Sequence, residues 1–155
     1  MIQLADLLRA TLKAGEQQQI PLQQEIELTK LYLAIEQVRF SDRLTVTWNI
    51  SAPLDAKVPA LALQPLVENA IVHGVSQRSQ PGHVTIDVVG DGASIVVRVA
   101  DDGPGPDRSR GRRGGGVGLS NLRARLHRLY HDKAELELVR EGEGSTVARM
   151  KLPLV

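Results

Sequence analysis

The chain has 155 residues, a formal net charge of +1 at pH 7 and no cysteine, which suits one domain, or one domain with an appendage. The small net charge gives no overall electrostatic reason to bind nucleic acid or a membrane surface, and the lack of cysteine excludes disulfides, thiolate chemistry and cysteine-based zinc sites while fitting a reducing compartment. No apolar run approaches the ~20 residues of a membrane span, no signal-peptide pattern opens the chain, and with aromatics at 3% the core must be mostly Leu, Val, Ile and Ala.

Leu4, Leu7, Leu8 and Leu12 recur at helical spacing, and Ala14-Gly15 closes that run. After a polar stretch at 16–19, Pro21 is well placed at a helix start. Leu28, Leu31, Tyr32, Ile35 and Val38 then mark one face of a long helix ending near Phe40. These two helices carry stripes without a core of their own. They are expected to pack on each other, on a second chain or on the following domain. Met1 followed at once by this pattern fits a chain cut from a longer protein.

From Leu44 the period becomes two: "LTVTWNI" alternates as a half-buried strand does. Pro53 and Pro59 flank an expected loop. "ALALQPLVENAIVHG" reads as a helix with Pro65 in its first turns and Gly74 as its stop. "HVTIDVVGDGASIVVRVADD" is two strands around Gly90-Asp91-Gly92, a hairpin signal. A glycine- and arginine-rich segment follows at 101–119, and then an amphipathic helix with Leu119, Leu122, Leu126 and Leu129 on one side. "AELELVR" and "STVARMKLPL" make a final hairpin across 141–144. Two helices followed by β-α-β-β-loop-α-β-β predict an α/β fold: a two-layer sandwich, a mixed sheet with helices on one face.

Three segments bear chemistry. Glu68 and Asn69 are polar residues in an otherwise apolar helix. Either they face solvent, or they are functional, because polar groups on an apolar face cost free energy unless paired. In the functional reading Asn69 offers its carbonyl oxygen to Mg2+, a hard cation that takes oxygen ligands. Glu68 then orders or deprotonates a nucleophile, or holds a metal-bound water. Asp101 closes a buried strand, placed to accept from the exocyclic amino group of an adenine. Guanine has an acceptor there, and an unmade buried hydrogen bond costs roughly 1–3 kcal/mol. Gly103, Pro104 and Gly105 let the backbone turn tightly beside a flat ring. Gly114, Gly116 and Gly118 open a helix, where free N–H groups and the helix dipole favour an anion. The chain lacks the Gly-Lys-Ser/Thr of a P-loop.

The order of these pieces resembles the ATP-binding domain shared by gyrase, histidine kinases and the MutL ATPases, the Bergerat fold. "LQPLVENAIVHG" looks like its N box, "DDGPG" its G1 box and "GGGVGL" its G2 box. Within that group, "LQPLVENA", "YLAIEQVRFSDRL" and "GSTVARMKLPL" resemble the LytS-type sensor histidine kinases. The resemblance implies ATP and Mg2+ as cofactors, with Asn69 ligating the metal and Glu68 beside it as a base or metal-water partner. It places His73 near the ribose or phosphates, Asp101 on the adenine with Gly103 and Gly105 shaping that pocket, and Thr146 at the adenine end. Gly114, Gly116 and Gly118 would hold phosphates, with Arg113 and Leu119 at the edges of that run. Residues 106–113 would be the ATP lid, whose arginines suit phosphate.

The same resemblance divides the chain into 1–40, a remnant of the helical dimerisation region, and 41–155, the ATP-binding catalytic domain. In such kinases a histidine of the helical region accepts the phosphoryl group. The histidines here are His73, His83, His127 and His131, none of which precedes the ATP domain. The phosphoacceptor helix would therefore lie in a parent kinase anchored in the bacterial inner membrane. This fragment would be cytoplasmic, able to form a homodimer, and would pass phosphate by way of that histidine to a response regulator. Val72 stands where a lysine that reaches phosphate is common. The alternatives are a protein-serine kinase acting on an anti-anti-sigma partner, opposed by the N-terminal helices and "RFSDRL", and a non-catalytic nucleotide-binding or interaction module. An arginine-glycine nucleic-acid segment is disfavoured because aromatic residues do not interleave it. His127 and His131 are one helical turn apart, with no third metal ligand apparent.

Overall fold

In a computed structural model of the chain, the described residues are 4–40, 43–73, 81–102, 117–140 and 146–154. Gly74 and the segments 103–116 and 141–145 lie outside them, as do the side chains of Leu4, His73 and Val117.

Helix α1 spans Leu4–Gly15 and is followed by a short strand, β1, at Gln19–Pro21. Helix α2, Leu22–Arg39, begins directly after Pro21, whose φ of −60° suits a helix entry. Strand β2 is Leu44–Ser51, and β3 is Lys57–Pro59. β1 and β3 pair antiparallel, with Ile20 opposite Val58. This two-stranded ribbon replaces the plain linker and loop expected at those places. Each strand has only three residues, too few for an alternation to show in the sequence.

Helix α3 is Leu63–His73, with Pro65 in its first turn. Proline is tolerated there because the first N–H groups have no intrahelical acceptor. Strands β4, Gly82–Gly90, and β5, Ser94–Asp101, form the expected hairpin. Its turn uses Gly92 at a φ of 89°, and Asp91 Oδ1 accepts from the Ser94 backbone N–H at 2.8 Å and hydroxyl at 2.9 Å. A Cβ on Gly90 would stand a tight 3.1 Å from the Pro53 ring, which would have to give by a few tenths of an ångström. Helix α4 is Val117–Tyr130, followed by a single 3-10 turn at His131–Lys133. The strands β6, Glu135–Arg140, and β7, Thr146–Pro153, complete the chain order.

The main sheet has the order β2-β4-β5-β7-β6. β2 and β4 are parallel, and the other neighbours are antiparallel. α3 packs between α2 and α4 and against β5 and β7. Its buried set, Leu63, Leu66, Val67, Ala70 and Ile71, follows the i, i+3, i+4, i+7, i+8 spacing of one helix face. The sheet answers with Val84, Ile86, Val88, Val97, Val99, Ala148, Met150 and Leu152, one residue in two along each strand. The far face of the sheet is polar: Asn49 donates to Asp87 at 2.8 Å, Arg98 pairs with Asp87 at 3.5 Å, and Arg149 reaches Glu135 and Glu137. The architecture is the α/β sandwich with a mixed sheet and helices on one face.

The stripe expected on α2 is only in part the face that α2 buries: Leu28 is buried and Leu31, Tyr32 and Ile35 are half-buried. Val38 is 81% exposed, and the buried set is Leu22, Glu25, Ile26, Leu28, Thr29, Leu33 and Glu36. α2 is covered from two sides. Leu22, Ile26, Leu33 and the following Phe40 enter the main core with the sheet, whereas Leu28 packs with Ala14, Ile20 and Ala60. A helix covered on two sides has no single apolar face for periodicity to reveal.

Candidate functional site

α3 splits the Glu68-Asn69 pair between two environments. Neighbouring helix positions point about 100° apart, so the apolar face that docks on the sheet carries Asn69 inward and leaves Glu68 outside. Asn69 is 6% exposed, while Glu68 is exposed. The Asn69 Oδ1 atom is buried and has no hydrogen-bond partner among the described residues. Buried polar atoms are nearly always paired, and an orphan calls for a ligand, water or ion. An amide oxygen without a donor fits a hard cation such as Mg2+.

A second orphan lies on the sheet. Thr146 opens β7 and is 3% exposed, and its Oγ1 is likewise buried and unpartnered among the described residues. The β5–β7 register sets Thr146 directly opposite Asp101, the 4% exposed last residue of β5. The sequence places these two residues 45 positions apart; the antiparallel pairing makes them neighbours on the buried face. Asp102, next in the chain, turns outward and accepts the His83 backbone N–H at 3.0 Å. The aspartate pair is thereby divided into an inner and an outer carboxylate, as strand alternation requires.

At the start of α4, Gly118 lies over the first turn of α3. A Cβ on Gly118 would make an ordinary 4.0 Å contact with Pro65, so space alone does not demand glycine there. Leu119 is 1% exposed and belongs to the core that seats α4. Val72 is exposed. Gly103, Gly105, Arg113, Gly114, Gly116 and the lid at 106–113 lie outside the described residues, as does the His73 side chain.

α2 contributes two carboxylates that the sequence pattern does not single out. Glu36, 9% exposed, accepts from Arg39 at 3.2 Å. Partial burial, then the charge of Glu36, pushes the Glu68 carboxyl up from its usual value. Burial together with the charges of Glu36 and Glu68 pushes the Tyr32 phenol up as well. Glu25 is 1% exposed and grips the start of α3: its Oε1 accepts the Leu61 N–H at 2.6 Å and its Oε2 the Leu63 N–H at 2.8 Å. Leu61 holds a φ of 63°, the left-handed region that non-glycine residues visit sparingly. The available signal for Glu25 is its place between Leu22 and Thr29, at i−3 and i+4 on the face that proves buried.

Residues 55–155 match the family model described as histidine kinase-, DNA gyrase B-, and HSP90-like ATPase, and residues 1–44 match the one described as histidine kinase. The chain belongs to this ATPase family. Among its relatives, it is 36% identical over 146 residues to the sensor histidine kinase YpdA of Escherichia coli (strain K12), covering 90% of this chain and 26% of that one. It is 32% identical over 165 residues to the sensor protein LytS of Bacillus subtilis (strain 168), covering 99% and 28%. The chain thus spans about a quarter of the length of these curated relatives. The histidine kinase domain of a blue-light activated kinase from Erythrobacter litoralis EL346 superposes with a TM-score of 0.68 at 22% identity, over 96% of this chain and 72% of that one. The catalytic domain of the histidine kinase ThkA gives a TM-score of 0.67 at 16% identity, over 88% and 94%. Those two likenesses establish the fold.

Proposed function

We propose that this chain is the ATP-binding catalytic portion of a two-component sensor histidine kinase. It binds ATP with Mg2+ and presents the γ-phosphoryl to a histidine on a helix that is not part of residues 1–155. The observation that carries the reading is the pair of buried oxygens without a partner among the described residues, Asn69 Oδ1 and Thr146 Oγ1, with Asp101 opposite Thr146. Such atoms cost stability unless a ligand completes them.

Asp101 accepts from the adenine amino group, and Thr146 lines the same end of the pocket. Asn69 holds the metal ion, which when bound offsets phosphate charge. Glu68, at the solvent side of α3, takes or orders the proton of the accepting imidazole. His73, Arg113, Gly114, Gly116 and Gly118 meet the ribose and phosphates, Gly103 and Gly105 shape the adenine pocket, and 106–113 is the lid. A P–N bond forms to the histidine as the P–O bond to the ADP leaving group breaks. Catalysis is mainly positioning and charge neutralisation. The phosphoryl group then passes to an aspartate of a response regulator.

Residues 1–40 are the remnant of the helical dimerisation region. The exposed Leu8 and Leu12 of α1 support that reading and a homodimeric parent. No described helix is long and apolar enough to cross a membrane, and the proposed setting is the cytoplasmic side of an inner-membrane kinase.

The test is calorimetric titration of the chain with a non-hydrolysable ATP analogue, with and without Mg2+, beside the GTP counterpart. Adenine-selective binding strengthened by Mg2+ supports the reading. Absence of binding at millimolar analogue overturns it and favours a non-catalytic interaction module.

A further inference from the structure

The N-terminus of α3 has no local cap. Its first N–H groups need acceptors, and the residue before the helix is Ala62, which has no side-chain acceptor. The acceptor comes from 38 residues upstream. Glu25 on α2 sends one carboxylate oxygen to the Leu63 N–H and the other to the Leu61 N–H. The fork therefore holds both the first residue of α3 and the left-handed turn that leads into it. The Glu25 side chain is almost wholly buried, so water does not compete for these bonds. A negative carboxyl at this place also complements the positive end of the helix dipole.

The geometry points to Glu25 as a positioning residue for the nucleotide site. Asn69 lies six residues beyond Leu63 on the same helix, about 9 Å along its axis. Fixing the first turn of α3 fixes how far Asn69 projects toward a bound metal ion. α2 also meets α3 further along, where the charge of Glu36 reaches Glu68. A shift or rotation of α2 is thus carried to Asn69 through a bidentate hydrogen-bonded link, not through apolar contacts that can slide. α2 in turn continues from α1 through β1, so the link joins the helical region to the metal ligand. This role rests on the reading of Asn69 as the Mg2+ ligand.

The test compares the wild-type chain with Glu25→Gln, which keeps the shape but replaces one acceptor oxygen by a donor. Leu28→Ala serves as the control. It removes a buried side chain from the cluster of Ala14, Ile20, Leu28 and Ala60, against which Leu61 packs, while keeping both Glu25 acceptor oxygens. Two readouts are taken: amide hydrogen exchange at Leu61 and Leu63, and the factor by which Mg2+ strengthens ATP-analogue binding. In Glu25→Gln both amides exchange at least tenfold faster, and the Mg2+ factor falls about tenfold. The ratio of ATP- to GTP-analogue affinity stays constant, because Asp101 sits on β5. In Leu28→Ala the melting temperature falls and the Mg2+ factor holds. Should Glu25→Gln fail to fold, Glu25→Asp, which draws both acceptors back by one methylene, carries the same readouts. An unchanged Mg2+ factor in a folded Glu25 variant, or an equal fall in Leu28→Ala, overturns the positioning role. A wild-type chain that binds no analogue overturns the nucleotide reading, and this role with it; faster exchange at Leu61 and Leu63 would then mark Glu25 as a structural cap alone.

Discussion

At the scale of single residues, the proposed site gathers polar side chains that the fold holds away from water: Asn69, Asp101 and Thr146. Asn69 makes this explicit. Its buried oxygen, without a partner among the described residues, is a cost to the folded chain, of the kind that binding sites retain for function. Replacing Asn69 with Leu is expected to raise unfolding stability by about 1 kcal/mol, measured by urea denaturation, while removing the Mg2+ effect on analogue binding. A fall in stability with the Mg2+ effect retained would place the amide in the core for structural reasons. Asp101→Asn keeps the volume of the side chain but turns one acceptor oxygen into a donor. It is expected to lower ATP-analogue affinity tenfold to a hundredfold, corresponding to roughly 1–3 kcal/mol for one lost buried hydrogen bond. Affinity for the GTP counterpart should stay level or rise, and calorimetry of both nucleotides decides it.

At the scale of elements, α3 is the piece around which the site is assembled. α2 is its electrostatic neighbour as well as its clamp. Partial burial, and after it the charge of Glu36, pushes the Glu68 carboxyl up from its usual value. In Glu36→Gln that repulsion is gone and the Glu68 carboxyl should titrate at lower pH, followed by carbon NMR of its side-chain carboxyl. If Glu68 acts as the base in transfer to a histidine-bearing helix joined to this chain, the acid limb of the rate profile should shift to lower pH with it. An unmoved Glu68 titration would separate the two helices electrostatically. The short ribbon of β1 and β3 ties the start of α2 to the approach to α3: β1 leads into α2, and β3 leads toward Leu61 and α3.

At the scale of the whole molecule, Glu25 gives stability a pH dependence of unusual sign. Burial pushes its carboxyl up, while the N–H groups of Leu63, Leu61 and Ala62 and the charge of Arg125 on α4 draw it partly back. A carboxyl raised in the folded state binds its proton more tightly there than in the unfolded chain. Its contribution is therefore fully present below the unfolded carboxylate value and declines as pH rises through the raised folded value. The stability of wild type relative to Glu25→Gln should fall across that window, as read by urea denaturation at a series of pH values. A difference that grows with pH would mean that the N–H donors outweigh burial. The core itself is ordinary: Leu66 is fully buried in α3, and Leu66→Ala should cost about 2–5 kcal/mol in the same assay.

Much of this arrangement was legible in the chain alone, because it depends on local pattern. The segment from Ala60 to Gly74 read as a helix with Pro65 in its first turns, alternation in "LTVTWNI" declared β2, and Gly90-Asp91-Gly92 declared the turn between β4 and β5. The order of the glycine-rich segments after Glu68-Asn69 pointed to the ATPase family whose model matches residues 55–155. Sequence could not say which of Glu68 and Asn69 turns inward, because that depends on how α3 rotates against a sheet built from distant strands. The same holds for Thr146 beside Asp101, which only the β5–β7 register establishes, and for the buried face of α2, where two different cores take opposite sides. Glu25 is the clearest case. A glutamate in a helix reads as a solvated charge, and only tertiary packing brings to it the two backbone N–H groups of Leu61 and Leu63. Local chemistry therefore determined which elements form and to which family the chain belongs, while long-range packing decided which polar atoms are buried and which of them are paired among the described residues.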